Sequence, residues 1–388
     1  MKKGEIAAII DLNEDGALGS LTAARPIGTL PFAGRYRLID FPLSAVARAN
    51  VYSVGLFMPR SSRSVQDHVR SGEAWNLDLI QGGAFLFPYV ATRDYANAEL
   101  RTRYYDNYSQ FLRRSGAPYT VVMGARNVAN IDLAAVLAYH KLGSSSITAL
   151  YKNVTPNRVR ADDPLLTLSE LSTASAVLNA SQQSLSGHEE KLPRFMEVYL
   201  LDTVYLLDLL DQASAAGEFA RLPELLRDAV LEQNANAFEY TGYLALINAV
   251  DRYYQANMRM LQERNFQSLL YSSIPILTKS KNEVPTFFAH ESKVSGSLLG
   301  TGGFIEGSVA RSVISRNVTV HRGAVVEDSV VMQGSKISNG SLVRHAILDK
   351  GVVIGPNLVI EGTAEAPLVL SKNQTVFKPL DQEANTHA

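Results

Sequence analysis

The sequence predicts an α/β, doubly wound domain followed by a parallel β-helix of hexapeptide repeats. Three observations carry this expectation. Short apolar runs alternate with helix-patterned stretches over residues 1–280. A valine-, serine- and glycine-rich remainder shows a six-residue period. The chain has 388 residues, more than one core sustains, since single cores stop growing near ~250–300 residues.

Residues 6–10 (Ile-Ala-Ala-Ile-Ile) form a continuous apolar run, as expected of a parallel strand covered on both faces. Runs at 54–58, 119–123, 146–151 and 197–201 repeat the signal. Helical stretches lie between them at 43–49, 60–72, 104–114 and 133–142. Strands alternating with helices imply a doubly wound sheet, in which ligands sit at the carboxyl ends of the strands.

The pattern changes near residue 290. Val313, Thr319, Val325, Val331, Ile337 and Val343 recur every six residues, with Gly307, Gly323, Gly334, Gly340, Gly351 and Gly355 between them. Each six-residue unit is expected to bury one aliphatic and to turn on small residues. The boundaries that follow are 1–280 for the α/β domain, 281–290 for a linker and 291–380 for the β-helix. A polar tail covers 381–388.

Composition excludes several function classes. The net charge of −1 lacks the basic excess of a nucleic-acid binder. With no cysteine, disulfides and thiolate metal sites are absent. The apolar run at the N-terminus is shorter than the ~7–15 residues of a signal peptide, and none approaches the ~20 of a membrane span. A cytoplasmic location, with no membrane and no nucleic-acid partner, is the expectation.

Several segments resemble ADP-glucose pyrophosphorylase, the glucose-1-phosphate adenylyltransferase family. Residues 31–40 (Pro-Phe-Ala-Gly-Arg-Tyr-Arg-Leu-Ile-Asp) are similar to the segment after its nucleotide loop. Leu21, Thr22 and Arg25 resemble the end of the motif before it. Ile131 and Asp132 with His140 look like the junction after its catalytic aspartate. Thr241-Gly-Tyr243 and residues 253–258 resemble the stretch around its second metal ligand. The resemblance implies a nucleotidyltransferase-like, Rossmann-like domain and a left-handed β-helix.

That family joins glucose 1-phosphate to ATP and releases pyrophosphate. The chemistry needs a donor-lined phosphate cradle, cations and Mg²⁺-binding carboxylates. This chain departs from the pattern at each part. Leu12 and Asn13 replace adjacent glycines, with Glu14 and Asp15 just beyond. Ala17 stands at the loop's arginine position and Ile27 at a lysine position. Arg126 falls at the catalytic aspartate and Leu246 at the second metal carboxylate, with Leu244 at the family's tryptophan. The glutamate–lysine pair that grips the sugar phosphate has no counterpart before Met196; Glu189, Glu190 and Lys191 read as a loop charge cluster.

The resemblance is therefore to the non-catalytic, GlgD-type subunit of a two-component bacterial enzyme. It implies a regulatory subunit for glycogen synthesis, assembled with a catalytic subunit in a heterotetramer. No cofactor is expected on this chain, and Mg²⁺ belongs to the catalytic partner. An allosteric, phosphorylated sugar effector is implied. Its candidate contacts are Arg35, Arg37 and Arg48, with Arg316, Arg322, Lys336, Arg344 and Lys350 from the β-helix, because guanidinium forks suit phosphates. Arg126 alternatively binds an anion itself or forms a salt bridge that fills the vacated site. His321 and His345 read as solvated or stacking residues, not acyltransferase bases. Two other readings stay open: an active adenylyltransferase that uses Asp11 or Asp132 for Mg²⁺, and a free-standing sugar-phosphate sensor.

Overall fold

The computed structural model describes residues 4–14, 16, 18–88, 98–169, 173–181, 190–272 and 274–379. Asp15, Ala17, Glu189 and the tail 381–388 lie outside the described residues. The chain divides into two compact units. Met1–Asn13, Phe41–Ser62 and Val69–Leu244 form the first; Glu14–Asp40, Arg63–His68 and Ala245–Ala388 form the second. Residues 14–40, 63–68 and 245–280, expected in the α/β domain, thus belong with the β-helix.

In chain order the elements begin β1 (Ile6–Asp11), β2 (Pro31–Phe32), β3 (Tyr36–Arg37), α1 (Asp40–Arg48), β4 (Ser53–Phe57), α2 (Arg63–Val69), β5 (Gly83–Phe87) and α3 (Ala98–Ser115). They continue with β6 (Tyr119–Met123), β7 (Asn127–Ala129), α4 (Leu133–Leu142), β8 (Ile147–Val154), β9 (Pro164–Leu168), β10 (Ala174–Asn179) and β11 (Leu192–Asp202). Next come α5 (Thr203–Ala215), α6 (Leu222–Glu232), β12 (Asn236–Glu239), β13 (Leu244–Leu246), α7 (Val250–Arg259) and α8 (Glu263–Leu270).

The first unit is built on a sheet of order β10-β9-β11-β6-β1-β4-β5, with β8 on β11 and β12 on β8. β1 lies parallel between β4 and β6, with Ile10 opposite Leu56 and Met123. All six of its residues are buried, which is why it reads as a continuous apolar run. β11 runs antiparallel to both β6 and β8, so the sheet is mixed. This strand begins at Leu192, before the expected 197–201. Its Pro193 and Arg194 break the apolar run from which a strand is read.

The core of this unit gathers Ile9, Val122, Tyr199 and Leu206 around an aromatic cluster. Phe57 stacks on Tyr108 at 3.9 Å and on Phe87 at 4.5 Å. Each buried aliphatic or aromatic side chain contributes about 1.5–3 kcal/mol. A buried histidine inside is hydrogen-bonded. His140 Nδ1 lies 2.7 Å from the Thr148 hydroxyl and its Nε2 lies 3.5 Å from Asp202. Burial holds the His140 pKa below its ordinary value, against the pull of Asp202.

In the second unit the β-helix is three parallel sheets of six, five and five strands. The first strand, Phe287–Phe288, already pairs with Phe304–Ile305, so regular structure starts inside the stretch expected as a linker. Val320 pairs with Ile337 and Ile337 with Ile354, which makes these middle turns 17 residues. The interior residues are Val320, Val326, Val331, Ile337, Val343, Leu348, Ile354 and Ile360. One side of each such turn is therefore one residue short of six. The series that starts at Val313 meets the interior only at Val331, Ile337 and Val343. Thr319 and Val325 are half-buried, and Val320 and Val326 take the core. A slip of one residue exchanges the faces of a strand.

The corners explain the glycine and serine content. Asn317, Gly334, Gly351 and Asn373 share a left-handed conformation at equivalent corners. A Cβ on Gly351 would lie 2.5 Å from the Asn373 side-chain oxygen. Buried backbone donors are met by a serine ladder: Ser329 N–H donates to Ser312 Oγ and Ala346 N–H to Ser329 Oγ, each at 3.1 Å.

Segments before the β-helix are tied to it by specific bonds within the unit. Arg25 Nη2 meets Asp349 Oδ2 at 2.6 Å, with side chains 6% and 1% exposed. Tyr254 donates to the Asp328 carbonyl at 2.5 Å. Among the described residues, no helix is long and apolar enough to cross a membrane.

Candidate functional site

β1 delivers Asp11 to the carboxyl end of the first unit's sheet, where such folds hold ligands. The backbone donors that follow are spent inside the chain. Leu12 N–H donates to the Phe57 carbonyl at 2.9 Å, and Asn13 N–H donates to Asp11 Oδ1 at 2.9 Å. Asn13 Nδ2 donates to the same oxygen at 2.8 Å. A phosphate arriving here would meet a carboxylate and backbone groups already bonded.

Arg126 lies three residues past the end of β6. It ion-pairs with Glu197 of β11, and Arg227 of α6 pairs with the other oxygen of the same carboxylate. Asn127 Nδ2 donates to the Met196 carbonyl at 2.5 Å. Asp132 caps α4, accepting from Ala134 N–H at 2.9 Å and Ala135 N–H at 3.3 Å. Ile27 and Leu246, both in the second unit, are buried, at 3% and 7% exposed. Among the described residues no group of three or more His, Asp or Glu could hold a metal ion. The residues present do not fit Mg²⁺, because Arg126 puts a cation where the resemblance puts a metal-binding carboxylate. At about 4 Å two like charges repel by about 4 kcal/mol at an effective dielectric of ~20.

A second site lies wholly within the second unit. Here Arg35 and Arg37 from the β2–β3 hairpin line a pocket with Lys279, Lys281, Arg316 and Lys350. His68, Gln333, Tyr36, Thr278 and Ser315 also line it, and none of the described lining residues is acidic. The hairpin is fixed from behind: Ala33 N–H donates to Asn257 Oδ1 at 2.9 Å, and Tyr253 to the Pro31 carbonyl at 2.5 Å. Arg37 is aimed by its bond to the Ser64 carbonyl at 3.0 Å. Arg316 is held by Glu283 and, at 2.6 Å, by Gln333 Oε1. His68 Nε2 lies 2.6 Å from Asp40 Oδ1.

The electrostatics of this pocket are strained. Burial lowers the pKa of Lys350 to about 7, and the neighbouring Arg37 and Arg25 guanidiniums add to the effect. Arg37 and His68 are also held below their ordinary values, in each case mainly by burial. Crowded cations whose described lining includes no carboxylate favour an anion, although Glu283 and Asp40 hold Arg316 and His68 from outside the lining.

The structure thus brings together Arg35, Arg37, Arg316 and Lys350 of the expected effector contacts. It does not bring Arg48, Arg322 and Arg344 to that pocket. Arg48, in the first unit, donates to Asn130 Oδ1 at 2.6 Å and to the Ile131 carbonyl at 3.2 Å. Arg322 is 76% exposed beside Glu291. Arg344 bridges Glu327 and Glu361, each at 3.0 Å, along the stacked turns. Lys336 is exposed and is not among the lining residues. His321 faces Glu306 at 3.2 Å, and His345 Nδ1 lies 3.1 Å from the Tyr254 hydroxyl. Sequence reasoning missed Lys279 and Lys281, which it assigned to the end of the first domain and the linker, and missed His68. It also passed over Glu197, although a carboxylate between Met196 and Val198 in an apolar strand is itself a signal.

Comparison with known proteins adds to this geometry. Residues 284–366 match the family described as GlmU-like, C-terminal hexapeptide. The chain is 32% identical to the glycogen biosynthesis protein GlgD of Bacillus subtilis (strain 168), over 92% of each chain. It is also 32% identical to GlgD of Geobacillus stearothermophilus, again over 92% of each. The glucose-1-phosphate adenylyltransferase of Bacillus cytotoxicus is 25% identical, over 93% of this chain and 94% of that one.

Proposed function

Since the chain belongs to the GlgD family of glycogen biosynthesis proteins, we propose that it is a catalytically silent subunit that assembles with a glucose-1-phosphate adenylyltransferase and raises or modulates its synthesis of ADP-glucose. The observation that carries this reading is Arg126, paired with Glu197 where the resemblance puts a metal-binding aspartate. A cation fixed there opposes Mg²⁺, and Leu246 offers no second ligand. Mg²⁺ then serves the catalytic partner alone. The committed backbone donors of Leu12 and Asn13 support the same reading, since they leave no phosphate cradle.

The pocket of Arg35, Arg37, Arg316 and Lys350 is the proposed effector site, and a phosphorylated sugar is the ligand class. Phosphate oxygens match the planar guanidinium forks, and Gln333 and the Ser315 backbone segment offer polar contacts to hydroxyls. A dianion there favours the charged form of Lys350, which burial and, second, the Arg37 and Arg25 guanidiniums disfavour.

The test is to titrate this chain into a catalytic adenylyltransferase subunit while following pyrophosphate release, with each protein also assayed alone. The expected result is no turnover by this chain and a higher rate in the mixture. Turnover by this chain alone would falsify the reading, as would a mixture no faster than its catalytic component. Sugar phosphates added to the mixture then test the pocket.

A further inference from the structure

Glu197 sits within β11 at the irregularity between Phe195 and Tyr199, where pairing with β8 is interrupted. Its φ is +52°, a left-handed conformation disfavoured for any residue with a Cβ. Strain of this kind persists where the surroundings over-determine it, and it gathers at functional places. Here the surroundings are Arg126 and Arg227, one on each carboxylate oxygen. The Glu197 side chain is only 11% exposed.

The cluster holds more donors than this carboxylate uses. The Tyr199 hydroxyl and Arg227 Nε are buried without a hydrogen-bond partner among the described residues. Tyr199 is 2% exposed, and both guanidiniums act on its phenol electrostatically. Buried donors are rarely left unmade unless a ligand or a water serves them. A phosphate has more acceptor oxygens than a carboxylate. The cluster also stands at the carboxyl end of β6, where sheets of this class bind ligands.

We propose that Arg126, Arg227 and Tyr199 form an oxyanion site for a phosphate group, and that the Glu197 carboxylate is its built-in occupant. The strained backbone holds that carboxylate in the place of an external anion. The vacated end of the first unit is therefore closed to phosphate and nucleotide. None of these residues lines the effector pocket, so the inference does not depend on the regulatory reading.

The experiment counts inorganic phosphate bound per chain by equilibrium dialysis, in chelator, on the full-length protein. Glu197→Gly removes both the carboxylate and the strain. It is expected to bind one more phosphate than wild type, and Glu197→Gly/Arg227→Ala is expected to lose that gain. Any phosphate in the Arg37–Lys350 pocket counts equally in all three, so the difference reads only the Glu197 site. Arg227→Ala alone is expected to leave the wild-type count unchanged. A folded Glu197→Gly with wild-type stoichiometry overturns the proposal. So does a wild-type chain that loses one equivalent on Arg227→Ala. If Glu197→Gly fails to melt cooperatively, Glu197→Gln keeps the side chain's size without its charge and carries the same comparison.

Discussion

Arginine does opposite work in the two units. At the vacated end of the first, Arg126 and Arg227 share an internal carboxylate that cancels half of their charge. In the pocket of the second, Arg35, Arg37 and Lys350 face a lining without any acid, and Lys350 is driven toward neutrality. One region holds a carboxylate between its guanidiniums, and the other keeps its carboxylates, Glu283 and Asp40, outside the lining. A count of basic residues does not distinguish them; the placement of Glu197 and of Asp349 does.

The largest effect expected is from breaking the buried ion pair next to Lys350. Asp349→Asn leaves the buried Arg25 without its partner, a change that typically costs about 3–5 kcal/mol. Thermal denaturation should show a drop of many degrees, and Arg25→Met/Asp349→Leu should recover much of it. A small loss for Asp349→Asn would mean that the pair is far better hydrated than its exposure indicates.

Next come the pocket cations themselves. Arg37→Ala and Lys350→Met should each raise the effector concentration for half-activation of the mixed assembly. Losing one charge-assisted contact is worth about 1.5–3 kcal/mol, or roughly 10–100-fold. Arg322→Ala, outside the pocket, should change it little. If Arg322→Ala has the larger effect, the effector binds elsewhere on the β-helix.

The first unit should resist repair. Arg126→Asp sets a second carboxylate against Glu197 and leaves Arg227 to neutralise both, so the thermal midpoint should fall, because a Coulomb repulsion replaces an attraction. No turnover should appear in Arg126→Asp/Leu246→Asp, because Ile27 and the committed loop donors remain. Pyrophosphate release above background from that variant would show that the loop is competent after all.

The smallest effects are in pH dependence. His140 is held below its ordinary pKa in the fold, so the unfolded chain takes up the proton first. Its contribution to stability is complete above pH ~6.5, the unfolded value, and is lost as pH falls toward the folded value. Urea midpoints of His140→Gln should fall less steeply than wild type below that pH. Lys350 behaves alike at higher pH. Its folded pKa of about 7 lies below the unfolded 10.5. Wild type should therefore lose stability relative to Lys350→Met as pH falls from about 10.5 to about 7, with no further loss below.

Much of the fold was legible because burial imposes simple periods. β1 is covered on both faces and reads as unbroken aliphatics. The β-helix announced itself through small residues at its corners and aliphatics near every sixth position. The phase of that repeat was misjudged, since Thr319 and Val325 are as β-branched as Val320 and Val326. Only the length of a closed turn, 17 residues, decides which of them points inward. The antiparallel course of β11 was hidden too, because pairing direction leaves no mark on composition.

The sequence by itself determined the two architectures, and it determined what the chain lacks at the positions its resemblance points to: glycines in the loop, a carboxylate at Arg126, another at Leu246. These are local properties, readable from residue identity. Which charges meet was decided only by the tertiary structure. Arg35 and Arg37 come together with Lys279 and Arg316 across more than 200 positions of chain, while Arg48, far nearer to Arg37 in sequence than either, is spent on Asn130. Glu197 finds Arg126, in the turn after β6, and Arg227, on α6, far apart in the chain. Electrostatic interaction depends on distance and dielectric in three dimensions, and neither is written in the order of the residues.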